Sequence, residues 1–333
     1  MTTQLDRFTP LHTDTGADVL TVTLTDEEKR AVRQLTGALT ADKRALIDSP
    51  EWIDRARALS CRLPLSLRSA LRRFRREPGP EAVLLVRNLP LGPLPPTPSN
   101  PGSVEHHPST PAAALFLTTV HIGDVTAFRP EKGGALVQNV VPVPGQEDFQ
   151  GNAGSVALKM HVENAFHQHR PDYVALLCLR NDHDDIAGLR TSSIRRALPL
   201  LSEHALAVLS QPRFVTNAPP SFGNSVPAAE PQPILLGDLE DPDVVVDFHA
   251  TDPLDVEAAA ALDELGHAFD HVTRTFILRS GDLAIVDNRL AMHGRTAFRP
   301  RYDGQDRWLQ RTFVHLDPRR TRPLRSGDGN VLS

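Results

Sequence analysis

The chain has 333 residues, of which 40% are hydrophobic, enough for one large domain with a sizeable core. A net charge of −5 and a pI near 6.3 exclude a general nucleic-acid binder, which carries a basic surplus. The two cysteines, Cys61 and Cys178, exclude a disulfide framework and point to a reducing compartment. The first ten residues lack an apolar signal core, and no apolar run reaches membrane-spanning length, so a cytoplasmic protein without membrane or nucleic-acid partners is expected. Self-association stays open.

The first 80 residues read as helical. Thr25-Asp26-Glu27-Glu28 is a capping box that starts a helix to about Leu39. Pro50 opens a second helix, and Pro64 to Arg76 forms a third whose arginines suit a solvated face. Ala82–Leu89 is an apolar run of buried-strand length. Pro90–Pro111 reads as a long surface loop. Short β runs then alternate with turns: Gly134–Val143, Ser155–His161, Tyr173–Arg180, Val244–Phe248, Thr275–Leu278, Leu283–Asp287 and Trp308–Leu316. Helical inserts interrupt them at Ser193–Gln211 and Asp255–Asp270. Many short strands without βαβ alternation predict a mainly β fold with helical additions, a sandwich or jelly roll. The whole chain, 1–333, reads as one domain: a helical region over 1–80, a β core over 81–316 and a peripheral tail over 317–333.

The strongest chemical signal is His161-Val162-Glu163. On a strand, residues i and i+2 share a face, so imidazole and carboxylate can converge on one divalent metal. A second histidine would complete a facial triad with open positions for Fe(II) chemistry. With 14 histidines the third ligand is a choice, and His293, just past the Leu283–Asp287 strand, fits best. A His-x-Glu alone is weak, since surface pairs of this kind are common. Arg307 and Arg311, 14 and 18 residues beyond His293, share one face if Trp308–Leu316 is a strand. Two inward guanidiniums need anions. Ordinary salt bridges would serve, and so would two carboxylate ligands, a 2-oxo acid and an amino acid.

Together these residues resemble a known family. His161-Val-Glu163-Asn-Ala-Phe-His-Gln-His-Arg-Pro-Asp-Tyr, His293-Gly-Arg, and Pro300-Arg-Tyr-Asp-Gly-Gln-Asp-Arg-Trp-Leu-Gln-Arg311 are similar to the clavaminate synthase-like 2-oxoglutarate oxygenases, which include hydroxylases of free amino acids in antibiotic pathways. The run Gln138–Asn152 looks most like the lysine hydroxylase branch.

The resemblance implies a double-stranded β-helix, the cupin-like jelly roll, and Fe(II), 2-oxoglutarate and O2 as cofactor and cosubstrates. It implies His161, Glu163 and His293 as metal ligands and Arg307 against the distal carboxylate of 2-oxoglutarate. Arg311 falls on the substrate α-carboxylate, Glu131 on the α-amino group and Asp247 on the far end of a cationic side chain. The family threonine that touches 2-oxoglutarate aligns without gaps to Leu189; Thr191 and Ser192 lie close, and Thr191 is the choice. Glu163 favours hydroxylation over halogenation, because related halogenases lack that carboxylate. The implied reaction is hydroxylation of a free basic amino acid, lysine first and arginine second, with carrier-tethered substrates as a further alternative. From other classes, the rivals are a zinc hydrolase on the same ligands, which leaves the two arginines unexplained, and a non-enzymatic binding protein, against which an intact triad argues.

Overall fold

A computed structural model describes residues 19–220, 222 and 229–333. The N-terminal decapeptide read above lies outside them. In chain order, β1 (Leu20–Thr23) precedes α1 (Asp26–Leu39), α2 (Pro50–Ser60) and α3 (Leu65–Arg76). Then come β2 (Val83–Arg87), β3 (Val104–Glu105), α4 (Thr110–Thr119), β4 (Asp124–Phe128), β5 (Val137–Val140), β6 (Leu158–His161), β7 (Tyr173–Arg180) and β8 (Leu189–Ser193). An insert follows: α5 (Ile194–Ala197), α6 (Glu203–Leu209), β9 (Phe214–Thr216), β10 (Leu235–Leu236), β11 (Asp243–Val244), β12 (Thr251–Pro253) and α7 (Val256–Val272). The remaining strands are β13 (Arg274–Phe276), β14 (Leu283–Asp287), β15 (Ala291–Arg295), β16 (Trp308–His315) and β17 (Val331–Leu332).

The helix starts follow their sequence signals. The Thr25 hydroxyl accepts from the Glu28 amide at 3.2 Å, and Glu28 accepts from the Thr25 amide at 2.8 Å. Ser49 caps α2, with Pro50 in its first turn. In α3, Leu67, Ala70, Leu71 and Phe74 turn inward while Arg72, Arg73, Arg75 and Arg76 stay exposed.

The strands form two facing sheets. The larger runs β1-β2-β14-β7-β16-β4-β17, with β5 also bonded to β16 and β3 to β5. The smaller runs β13-β8-β15-β6. This is the jelly roll the sequence predicts. Leu84 and Val86, Ala175, Leu177 and Leu179, Leu283 and Ile285 form one core with the four N-terminal helices on the outer face of the larger sheet. Val83 and Leu85, Val174, Leu176 and Cys178, Ala284 and Val286 form a second core facing the smaller sheet. Both faces are covered, so these strands read as continuous apolar runs rather than alternating ones.

Three differences from the sequence reading have physical causes. The Pro90–Pro111 loop contains β3 and runs into α4, whose residues Pro111–Thr119 are all buried; a helix without a polar face shows no 3.6-residue period. His293 does not follow the Leu283–Asp287 strand as a loop residue: the chain turns at 288–290 and enters β15, which belongs to the opposite sheet. The tail, expected as peripheral, lays β17 parallel to β4 at the sheet edge. Among the described residues, no helix is long and apolar enough to cross a membrane.

Candidate metal centre and active site

The site is built on one row across the smaller sheet. His161 of β6 lies opposite His293 of β15, and His293 lies opposite Thr191 of β8. On the other flank, His161 bridges to Asp247. Directly paired residues project from the same face, and adjacent strands are about 4.8 Å apart. The row therefore reads Asp247, His161, His293, Thr191, with the two histidines in the middle. Gly294 makes the row possible: a Cβ there would lie 2.6 Å from the Leu158 carbonyl oxygen. Only glycine lets β15 press this closely on β6, at the point where their register shifts.

The ligating atoms of His161, Glu163 and His293 lie within 4.8 Å of one another. His161 Nδ1 sits 2.9 Å from the Lys159 carbonyl, which fixes it as the donor and leaves Nε2 for a ligand. His293 Nε2 is 3.4 Å from Glu163 Oε2. Two imidazoles and one carboxylate on one face form the facial triad of non-haem iron sites.

The strand that the His-x-Glu reading assumes ends at His161, and Glu163 lies in the turn beyond it. Asn288, fully buried, aims it: its Oδ1 accepts from the Glu163 amide at 2.8 Å, and its Nδ2 donates to the Glu163 carbonyl at 3.0 Å and the Pro171 carbonyl at 2.9 Å. Asn288 has no assigned role in the sequence analysis. Its polarity is plain in the sequence, but its burial against the Glu163 peptide is a property of the folded chain.

Arg311 is the electrostatic hub. Its Nη1 donates to Glu163 Oε2 at 3.0 Å, and its Nη2 to Glu131 Oε1 and to Gln138 Oε1, the latter at 2.5 Å. Burial by itself would raise the Glu163 carboxyl, but the charge of Arg311 and the adjacent histidines outweigh it and hold Glu163 well below the usual carboxylate range. For Glu131 burial wins over Arg311 and pushes the carboxyl up. Glu131 Oε2 is buried without a partner. Burial and the charge of Arg311 also bring Lys132 down to about 8. Gln138 was quoted in the sequence reading but given no role.

Arg307 is buried and makes no hydrogen bond or ion pair with any described residue; its guanidinium lies 5.7 Å from the Phe298 ring, and its Nε is buried without a partner. Thr191 Oγ1 is likewise buried and unpartnered. The neighbouring Ser192 is engaged, donating to the Phe269 carbonyl at 2.7 Å, and Leu189 is apolar, so Thr191 is the hydroxyl free to meet a ligand. Such orphaned donors suit an anion. Asp247 is half-buried; its Oδ1 accepts from the His249 amide at 2.8 Å, while the His249 residue itself is exposed.

The other histidines near the site pack or pair. His167 stacks edge-on to Phe128 at 4.9 Å, and burial lowers it to about 4. His169 donates its amide to His167 Nδ1. His183 groups with Asp303 and Asp306, but its two ring nitrogens face different carboxylates, Nε2 at 3.1 Å from Asp303 and Nδ1 at 3.9 Å from Asp306. These contacts tie the 299–306 loop to the β7–β8 turn.

A facial triad inside a double-stranded β-helix, beside two buried arginines, defines a mononuclear non-haem iron oxygenase. Residues 237–313 match the taurine catabolism dioxygenase TauD, TfdA family. The chain is 51% identical to an L-asparagine oxygenase of Streptomyces coelicolor over 93% of this chain and 94% of that one. It is 34% identical to clavaminate synthase 2 of Streptomyces clavuligerus, covering 80% and 84% of the two chains. An L-lysine 3-hydroxylase of Catenulispora acidiphila is 31% identical, covering 93% and 88%. Among solved structures, an asparagine oxygenase with Fe(II), 2S,3S-3-hydroxyasparagine and succinate superposes with a TM-score of 0.90 at 51% identity, covering 94% of this chain and 98% of that one. The chain belongs to the clavaminate synthase-like Fe(II)- and 2-oxoglutarate-dependent oxygenases of the TauD/TfdA family. It is a dioxygenase of the amino-acid hydroxylase group that uses Fe(II), 2-oxoglutarate and O2. The comparisons do not single out lysine.

Proposed function

We propose that the enzyme hydroxylates the β-carbon of free L-asparagine. The observation that carries this reading is that both substrate anchors lie beside metal ligands in a chain 51% identical to an L-asparagine oxygenase. Arg311, the anchor for an α-carboxylate, touches the ligand Glu163, and Asp247, the anchor for a side-chain end, is the register partner of the ligand His161. Anchors beside the metal ligands can hold both ends of a four-carbon amino acid. The 51% identity to an L-asparagine oxygenase supports the same choice.

In this reading His161, Glu163 and His293 hold the iron, which with 2-oxoglutarate and O2 supplies the oxidant for an unactivated C–H bond and leaves succinate and CO2. Arg307 pairs the distal carboxylate of 2-oxoglutarate, and Thr191 donates a hydrogen bond to it. Arg311 takes the substrate α-carboxylate, and the unpartnered Glu131 Oε2 receives the α-ammonium. The Asp247 carboxylate accepts from the side-chain amide N–H. With head and tail both fixed, the carbon between them is the one presented, and positional control of this kind is set at the ångström scale.

The test is mass spectrometry of asparagine, lysine and arginine after incubation with enzyme, Fe(II) and 2-oxoglutarate. Asparagine should gain one oxygen with matching succinate. Oxidation of lysine but not asparagine would return the cationic reading, which an aspartate at 247 also suits. Asp247→Ala should raise KM for the amino acid roughly 10-fold or more, the cost of losing a hydrogen bond to a charged group. KM for 2-oxoglutarate should stay unchanged, and equal rises for both would remove Asp247 from the substrate site. Thr191→Val should do the reverse, raising KM for 2-oxoglutarate about 10-fold or more through one lost hydrogen bond to a carboxylate.

A further inference from the structure

We infer that Arg295 is a second guanidinium for the distal carboxylate of 2-oxoglutarate, working beside Arg307; the inference rests on the cosubstrate pocket proposed above. Arg295 lies two residues after His293 on β15 and so shares its inward face. It pairs in register with Leu189, two residues before Thr191 on β8. Arg307 comes from the opposite side of the fold, immediately before β16 of the larger sheet. Both guanidiniums converge on Phe298, at 5.3 Å and 5.7 Å from its ring. Both residues are 4% exposed.

Neither arginine has a carboxylate partner among the described residues. The sole hydrogen bond of Arg295 runs from Nη2 to the Val156 carbonyl at 2.9 Å, and Nε of both arginines is buried without a partner. The nearby Asp182 is engaged elsewhere, accepting from the amides of Ile186 at 2.9 Å and Ala187 at 2.7 Å. Two buried like charges repel, and leaving both without a counter-ion is costly. A carboxylate offers about four lone-pair sites. A bidentate contact with Arg307 leaves outer lone pairs for Arg295 and for the Thr191 hydroxyl. Such a site selects a 2-oxo acid with a second carboxylate over one without it. The competing view is that Arg295 is a strut, held by Val156 and stacked on Phe298.

Anaerobic titration of the Fe(II)-loaded enzyme, read from the metal-to-ligand charge-transfer band, separates these views. The ligands are 2-oxoglutarate and 2-oxobutyrate, which shares the 2-oxo acid head but has no distal carboxylate. Arg295→Met should weaken 2-oxoglutarate by about 30-fold or more, the scale for removing one partner of a buried charge contact. Binding of 2-oxobutyrate should not change. Arg295→Lys should recover part of the loss, because it restores the charge but not the planar fork. Equal weakening of both ligands, or no weakening of either, overturns the inference. If Arg295→Met does not fold, Arg295→Lys decides by the same selective criterion. Arg307→Met, run in parallel, keeps the two claims apart. Loss of 2-oxoglutarate binding with Arg307→Met but not with Arg295→Met sinks only the role of Arg295. Full binding by Arg307→Met sinks the pocket itself.

Discussion

Replacing Asn288 with alanine should weaken Fe(II) binding by roughly 10- to 100-fold, the usual cost of removing a group that orients a metal ligand. Asn288 touches no ligating atom. It grips the Glu163 peptide from both sides, accepting from its amide and donating to its carbonyl, and ties that peptide to Pro171. Glu163 sits beyond the end of β6 and is followed by Asn164 in the left-handed region at φ 53°, so no ladder hydrogen bond of its own strand fixes it. Without the clamp, the carboxylate should sample several orientations while the two strand-borne histidines keep theirs. Chelator competition measures the affinity. Asn288→Asp is the informative companion, since it keeps the acceptor for the Glu163 amide but loses both donors. If the alanine variant lowers the melting temperature of the iron-free protein yet binds Fe(II) as tightly as the parent, Asn288 only supports the fold.

Arg311→Met should cost about 3–5 kcal/mol of stability in the iron-free protein, because it strips the counter-charge from a buried carboxylate and leaves a second one beside it. Glu163 and Glu131 both lean on this guanidinium, and Gln138 loses a partner with them. Urea unfolding would report the loss. The sign with pH follows from the carboxylates. In the parent, Glu163 has a lowered folded pKa, so its contribution is present above the unfolded value near 4.3 and disappears only as pH falls through the lower folded one. In Arg311→Met that stabilisation is gone, so the gap between variant and parent should narrow in acid. Adding Glu131→Gln should restore part of the stability, since it removes one of the stranded charges. Full recovery of turnover in the double variant would count against Arg311 as the anchor of the substrate carboxylate, for activity should stay lost even where stability returns.

Much of the fold could be read from residues alone. The capping box at Thr25 and the prolines at 50 and 64 mark helices that begin within one residue of the expected place. The apolar runs at 83–87, 173–180 and 283–287 mark strands because both faces of the larger sheet are covered. What escaped is what depends on partners distant in sequence. The helix α4 is buried all round and has no polar face to betray its period. The strand β8, Leu-Arg-Thr-Ser-Ser, is short and polar, and it is a strand because β13 and β15 flank it. In the site, residue chemistry and spacing pointed to the triad and to Arg307 and Arg311; the structure brings the three triad residues and Arg311 together and buries Arg307 beside Phe298. Asn288 and Arg295 were invisible in this sense: their polarity was plain, but burial without a charged partner is a property of the folded chain.

The row of Asp247, His161, His293 and Thr191 has a consequence for how such enzymes change. Asp247, proposed to recognise the amino acid, and Thr191, proposed to meet the cosubstrate, stand at opposite ends of one line, with the strands of His161 and His293 between them. Residues separated by two intervening strands, about 14 Å apart along the row, share no direct contact, and their substitutions should combine nearly additively. With those proposed roles, substrate preference could drift at the Asp247 end while the Thr191 end keeps the same 2-oxo acid, so one scaffold could serve amino acids of different length without rebuilding its oxidant.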